Sequence, residues 1–364
     1  MEKSEILRVY GTEYCKMTVE LLKEAGLCEL IPKGARIGIK PNLMAPVPAE
    51  FGATTHPEVV EGIILYLKGH GFEDISIMEG SWVGDKTSDS FEYCGYNALA
   101  EKYGVTLVDT QQEKSFSVKH GDMDVNICNC VKNVDFLINV PVLKGHCQTN
   151  ITCALKNMKG LIPNSEKRRF HAMGLFKPIA ILNSCIKQDF IVADHICGDL
   201  ESEGGGNPYY SNCIMAARDP VLLDAFCCKL MEYELSDVPY IGLSEKEGVG
   251  SGDLSKLKLR TLGNDGPEAV ESLPVTHRIL KLKDMAEDVD TCSACYESMM
   301  EALEKLSDEG LLEKFKERIC IGQGYRGKTG EYGIGNCTKD FKHFVKGCPP
   351  KAEEIYEEIK GWIE

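Results

Sequence analysis

The sequence predicts an α/β protein: a largely parallel sheet covered by helices, Rossmann-like in kind, with a small C-terminal α/β cysteine module. Three observations carry this expectation. Short apolar runs alternate with helical patterns through the first two thirds of the chain, as when parallel strands are joined by helical crossovers. The run Phe136 to Val142 is apolar almost throughout, which suits a strand buried on both faces. Beyond residue 290 the cysteines fall at ligand spacings.

Taken in order, Met17 to Leu30 reads as an amphipathic helix and Ala35 to Ile39 as a strand, ended by Lys40-Pro41-Asn42. Thr55-His56-Pro57-Glu58 is a capping-box sequence whose Pro57 suits a first turn, so a helix is expected from near Thr55 to about Gly69. Ile75 to Met78 is a strand that stops at Glu79-Gly80-Ser81; Tyr96 to Tyr103 is a helix and Thr106 to Asp109 a strand. Helices are then expected near 150–159 and 174–187, strands at Ile191 to Ala193 and Ile214 to Ala217, and a helix from Val221 to Tyr233 opened by Pro220. Ligands bind such sheets at the carboxyl ends of strands, which directs attention to Lys40, Gly80, Ser81 and Lys144. Residues 264–274 lack periodicity and contain Asn-Asp-Gly-Pro, marking a boundary between domains at 1–263 and 275–364.

Hydrophobic residues make up 43% and charged residues 27%, a globular balance rather than a disordered one. The formal net charge of −15 argues against a nucleic-acid or anionic-membrane surface. No apolar run reaches the roughly 18 residues of a membrane span. Met1 to Glu5 is charged with no apolar stretch of signal length after it, so a cytoplasmic location is expected. Without a secretion signal, the seventeen cysteines read as reduced thiols, tolerable in an iron-rich anaerobic cytoplasm. Most would be buried small apolar residues, such as Cys227 and Cys228.

The C-terminal cysteines differ. Cys292-Ser293-Ala294-Cys295 is a CxxC pair, Gly335-Asn336-Cys337 follows after 41 intervening residues, and Gly347-Cys348-Pro349-Pro350 after ten more. A CxxC turn puts two thiolates on one centre, and two distant cysteines complete a tetrahedral set. Structural zinc uses the same donors but usually shows a second tight CxxC, which this module lacks. Cys320, in Ile319-Cys320-Ile321, is expected to face a core. The Gly-x-Cys and Gly-Cys-Pro-Pro segments resemble the proximal-cluster subunits of respiratory complex I and nickel–iron hydrogenases. That resemblance departs in the first two ligands and implies a 4Fe-4S cluster without an activity; the spacing puts it on Cys292, Cys295, Cys337 and Cys348.

Residues 144–171 form a basic island of net +5, carrying Lys144, Lys156, Lys159, Lys167, Arg168 and Arg169 against Glu166. Beside a helix N-terminus near Thr149 it would hold a phosphate or carboxylate, or else be a solvated face. An anion pocket would lose its ligand in Lys144→Ala and Lys156→Ala with little change in apo stability. Residues 194–224 have the opposite bias: Asp194, Asp199, Glu201, Glu203, Asp219 and Asp224 against Arg218, around Gly204-Gly205-Gly206. Those carboxylates could hold magnesium or pair with the basic island. Asp219 could cap the helix at Pro220. His146 and His171 sit among cations and are candidate neutral bases; His56 reads as a first-turn residue, and His195 is open. There is no nucleophile elbow, Walker loop or GxGxxG, and Gly322-Gln323-Gly324 is too short to signify.

Several blocks resemble, in order, those of the family known as domain of unknown function 362. They are Lys40-Pro41-Asn42-Leu43, Ala53 to Val60, Asn139 to His146, Ala154 to Leu161, the strand end at Asp194, Glu203-Gly204, and Asp219-Pro220 with Asp224. The resemblance covers roughly 35–250. It implies an iron–sulfur-associated α/β protein and no particular reaction. Many members have a ferredoxin-type tail, where this chain has the CxxC…GCPP module.

The expected function is an iron–sulfur oxidoreductase or electron-transfer protein acting on a small anionic molecule, with a redox partner protein and no nucleic acid or membrane. Lys40, Lys144, Lys156 and Lys159 would bind the anion, and His146, His171, Asp194 and Glu203 would act as acid–base or metal groups. One alternative is a non-redox metal-dependent enzyme on a phosphorylated or carboxylated substrate, with a structural cluster. Another is a cluster carrier or assembly scaffold.

Overall fold

The computed structural model describes residues 1–263 and 272–363. It divides into two compact units. The first holds Met1–His146, Ile151–Lys167 and Phe176–Val275; the second holds Cys147–Asn150, Arg168–Leu175 and Thr276–Glu364. Most of the boundary segment expected at 264–274 lies outside the described residues.

The first unit is built on strands β1 (Glu5–Tyr10), β2 (Ile37–Pro41), β3 (Ile75–Glu79), β4 (Thr106–Asp109), the hairpin β5 (Ser115–His120) and β6 (Met123–Cys128), β7 (Phe136–Val140), the short β8 (Lys144–His146) and β9 (Asn150–Thr152), β10 (Phe190–Asp199), β11 (Pro208–Ala217) and β12 (Lys258–Leu262). Eight of them form one sheet in the order β12-β1-β11-β10-β7-β2-β3-β4. Only β11 runs against the rest. The fold is therefore the expected helix-covered, largely parallel α/β sheet. β2, β7 and β10 are buried along their whole length, which is why their sequences are apolar runs rather than alternations. The chain moves from β2 outward to β3 and β4, then returns to the other side of β2 with β7. The carboxyl ends of β2 and β7 are thus a topological switch point, where such sheets bind ligands.

Several expectations needed correction. The helix expected from Met17 is Tyr14–Ala25, and Gly26 breaks it from a short turn at Leu27–Leu30. The helix at 57–69 starts at Pro57 with His56 as N-cap, and Thr55 makes no cap. The Thr55 hydroxyl instead donates to Val140 O at 2.8 Å and accepts from Asn42 N at 2.8 Å, tying the ends of β2 and β7 together. Residues 150–159 are a strand, β9, followed by a short helix at Ala154–Asn157. Asp219 does cap the helix Pro220–Leu230, accepting from Val221 N and Leu222 N.

The second unit contains a four-stranded parallel sheet in sequence order: β13 (Ala286–Asp288), β14 (Ile319–Ile321), β15 (Tyr332–Ile334) and β16 (His343–Val345). Helices Ser293–Asp308 and Ala352–Ile363 share its core, with Met299, Leu303, Ile319, Ile334, Ile355 and Ile359 buried together. Cys320 does not face this core. It is half-exposed between the buried Ile319 and Ile321, as strand alternation requires once both isoleucines point inward.

Candidate functional site

In the first unit the switch point is occupied by a buried polar network. Lys40, at the end of β2, is in register with Asn139 of β7. Its Nζ donates to Glu79 Oε2 at 2.6 Å, to Pro41 O at 2.6 Å and to Asn157 Oδ1 at 3.3 Å. Glu79, at the end of β3, also accepts from Leu43 N and Gly80 N. Asn157 donates to Asn139 Oδ1 at 2.7 Å, and Asn139 donates to Gln188 Oε1 and Ala154 O. Gly160 closes over the ion pair: a Cβ there would lie 1.9 Å from Glu79 Oε1 and 2.5 Å from Lys40 Cε, so position 160 has no room for a side chain.

Around this pair the basic island turns inward. Lys167 Nζ donates to Gly80 O at 2.8 Å and Ser81 O at 2.7 Å. Lys144 Nζ donates to Ala53 O and to Glu203 O. Lys40, Lys144 and Lys167 are buried; Lys156 and Lys159 are half-buried. Burial lowers the pKa of all of the deeper lysines, for Lys40 despite Glu79. Lys144 falls to about 7 through burial and then the charge of Lys156. Lys167 falls to about 8 through burial. Lys159 falls well below its ordinary value through burial and then Lys156 and Lys167. Because Lys144 is buried and bonded, Lys144→Ala should lower apo stability, where the sequence led to the expectation of a pocket lysine replaceable with little change in it. Lys156 fits that description better.

The acidic stretch is mostly engaged with backbone. Asp199 accepts from Glu201 N, Ser202 N and Asn207 N and so shapes the Gly204–Gly206 loop. Asp224 accepts from Ala154 N and Leu155 N, capping the short helix that carries Lys156; burial still pushes its pKa up to about 7. Asp194 pairs with His56. Glu203 Oε1 lies 3.3 Å from His146 Nε2, joining the acidic stretch to a histidine of the basic island. His171 belongs to the second unit.

In the second unit the four cysteines come from loops at the carboxyl ends of neighbouring parallel strands. Cys292 follows β13 and is the N-cap of the helix Ser293–Asp308, with Cys295 in its first turn. Cys337 follows β15, and Cys348 follows β16. The thiols lie close enough to act on one another. Burial raises the pKa of Cys292, and Cys337 and Cys348 add to it; burial raises Cys295 to about 12, with Cys292, Cys348 and Cys337 contributing. Gly335, at φ 83°, brings the chain against Cys295, whose Sγ would lie 3.7 Å from a Cβ there.

The loop after β14 supplies what sequence reasoning set aside. Gln323 Nε2 donates to Cys292 Sγ at 3.4 Å, and Arg326 is near enough to Cys337, and then to Cys292 and Cys348, for the thiols to raise its pKa. Asn336 ties the last two loops, its N donating to Gly347 O at 2.8 Å and its Oδ1 accepting from Gly347 N at 3.1 Å. The available signal was that three of the four strands of this small sheet, β14, β15 and β16, end in a Gly-containing loop, and Gly322-Gln323-Gly324 is one of that series.

Fold and residues thus define an α/β protein with a buried lysine network at the switch point of its first unit and four loop cysteines in its second. The chain belongs to the family described as domain of unknown function (DUF362), whose match spans residues 37–229. It is 22% identical over 234 residues to a thylakoid-associated protein of Synechocystis sp., sll1697, covering 62% of this chain and 71% of that one. Among solved structures it resembles the lactate racemase apoprotein from Thermoanaerobacterium thermosaccharolyticum, with a TM-score of 0.42 and 13% identity over 62% of this chain. It also resembles a protein from Thermotoga maritima, with a TM-score of 0.39 and 12% identity over 65% of this chain. The chain spans 57% and 60% of those two structures, and neither likeness informs its chemistry. No helix among the described residues is long and apolar enough to cross a membrane.

Proposed function

We propose that this is an iron–sulfur protein that exchanges electrons with a small anionic compound. The observation that carries the reading is that Cys292, Cys295, Cys337 and Cys348 lie in loops after the parallel strands β13, β15 and β16, near enough for the charge on one thiol to raise the pKa of another. Four thiolates suit a 4Fe-4S cluster, which supplies one-electron transfer when bound. Gln323 and Arg326 would donate to the ligand sulfurs and offset their negative charge. Cys348 is exposed, which suits a redox partner protein at that edge. All seventeen cysteines are free, which suits a reducing cytoplasm.

The anion would bind at the switch point, with Lys144, Lys156 and Lys159 as its cations and Lys40 holding Glu79 in place. His146 and Glu203 would move protons there. Magnesium on the acidic stretch has less support, because Asp199, Asp219 and Asp224 spend their carboxylates on backbone N–H groups.

The test is isolation without oxygen, followed by iron, zinc and acid-labile sulfide analysis and a redox titration. Iron and sulfide in near-equal amounts with a reversible couple are expected. Stoichiometric zinc without sulfide would overturn the cluster. A cluster with no accessible couple would leave it structural and remove the electron-transfer reading.

A further inference from the structure

The four cysteines lie past the carboxyl ends of strands in the small parallel sheet of the second unit. At the amino ends, Tyr332 opens β15 and His343 opens β16, and the two are in register. Their rings stack, with centroids 5.3 Å apart and planes at 17°. Trp362, in the last turn of the helix Ala352–Ile363, joins them: its ring lies 5.2 Å from that of Tyr332 and 6.3 Å from that of His343. The buried Phe315 packs edge-on to Tyr332 at 5.0 Å and so helps to fix the group. These three rings, with Glu357, Glu358 and Gly361, line a cavity of about 510 Å³.

Helix spacing brings carboxylates to the rings. Glu357 and Gly361 are four residues apart, as are Glu358 and Trp362, so the four sit side by side while Ile355 and Ile359 turn to the core. A Cβ at Gly361 would meet nothing within 4 Å, which leaves the cavity open there. The charge is negative. Among the described residues the side chains of Glu357 and Glu358 make no ion pair or hydrogen bond, whereas Glu331 beside His343 is matched by Lys342 at 2.6 Å. Lys305 and Lys360 lie over the Tyr356 ring, and among the described residues no cation of the chain lies over Tyr332 or Trp362.

We propose that this cavity binds a small quaternary ammonium solute, its methyl groups on Tyr332, His343 and Trp362 and its charge facing Glu357 and Glu358. Ring faces are electron-rich and attract cations. A quaternary nitrogen has no N–H group to satisfy and is weakly hydrated, so it leaves water for such faces at low cost, whereas a compact ammonium is held by its hydration. The two carboxylates repel anions and disfavour a zwitterion that carries its own carboxylate. The volume falls within the about 300–1,000 Å³ of ordinary ligand pockets, enough for a whole small solute. The cavity lies at the other end of the sheet from the cysteines and does not rest on the cluster reading.

The experiment is calorimetric titration of the full chain with choline, with ethanolamine, and with dimethylbutanol, which keeps the shape of choline without its charge. Choline is expected to bind, and both others to be weaker by about tenfold or more. The double variant Glu357→Gln, Glu358→Gln changes two exposed positions; it is expected to weaken choline about fivefold and to leave the melting temperature as it is. Trp362→Leu keeps an apolar side chain without the ring and is expected to weaken choline by about tenfold or more. Trp82→Phe leaves Trp362 as the one tryptophan, and its emission should change with choline at the calorimetric affinity. Choline that does not bind, or that binds no better than ethanolamine or dimethylbutanol, overturns the proposal. So does choline that binds wild type and the double glutamine variant alike. A trimethyllysine peptide that binds far more tightly than choline would assign the cavity to a modified protein tail and overturn the solute. Should Trp362→Leu fail to fold, the double glutamine variant still decides.

Discussion

Nδ1 of His56 lies 2.8 Å from Oδ2 of Asp194, and both side chains are buried. The same oxygen accepts the His56 backbone N–H at 2.7 Å, so one carboxylate holds the residue that opens the helix Pro57–Gly69. His56 Nε2 lies 3.9 Å from Cys197 Sγ. Burial opposes charge on the imidazole, but Asp194 outweighs it and raises the pKa from 6.5 to about 11.

This pair makes stability depend on pH with a definite sign. A raised folded-state pKa contributes stability that is fully present below the unfolded value of 6.5 and is lost as pH rises toward about 11. The urea midpoint of wild type minus that of His56→Gln should therefore be largest at or below pH 6.5 and shrink toward pH 10. A difference that stays constant over that range would refute the charged pair. Asp194→Asn should cost roughly 3–5 kcal/mol near neutral pH, the usual result of leaving one buried partner alone.

Lys40 and Glu79 should behave as a unit. Either Lys40→Met or Glu79→Gln leaves a buried partner unmatched and should destabilise by about 3–5 kcal/mol. The double variant should cost clearly less than the sum. Denaturant unfolding of the four proteins measures the coupling, and additive effects would show that the pair contributes little beyond packing.

An anion at the switch point should bring protons with it. Lys144 and Lys167 have pKa values near 7 and 8, and a bound anion would favour their charged forms. Titrating phosphate or a dicarboxylate in two buffers of different ionisation enthalpy should show net proton uptake at pH 8. Lys156→Ala should weaken binding with little loss of apo stability, whereas Lys144→Ala should lower the melting temperature of the apoprotein. No proton uptake together with unchanged binding in Lys156→Ala would remove the anion site.

The cysteines should separate sharply. Cys337→Ser should lose most iron after anaerobic reconstitution. Cys320→Ser should retain it, because Cys320 sits on the body of β14 and not in a loop at its end. Arg326→Leu should retain iron and shift any midpoint potential to more negative values, since a nearby cation favours the reduced, more negative state. Equal iron loss from Cys320→Ser and Cys337→Ser would mean that the ligand set is wrong.

Much of the scaffold was legible because local rules suffice for it. Apolar runs such as Phe136–Val140 gave away strands buried on both faces, and Asp219-Pro220 marked a helix start, since capping is a contact between near neighbours. Other strands were not legible: Glu5–Tyr10, Ser115–His120 and Lys258–Leu262 acquire their pairing from partners distant in sequence or carry little apolar pattern.

The sequence by itself determined the composition of both sites: a lysine-rich stretch after a buried strand, and four cysteines set beside glycine or in a CxxC turn. Only the tertiary structure decided what those residues face. Lys40 meets Glu79 across 39 positions, His56 meets Asp194 across 138, and Gln323 reaches Cys292 across 31. The physical reason is that an ionisable side chain has no strong conformational preference of its own. Its role is set by burial and by the charge that a distant strand end places beside it, and neither quantity exists until the parallel sheets have formed.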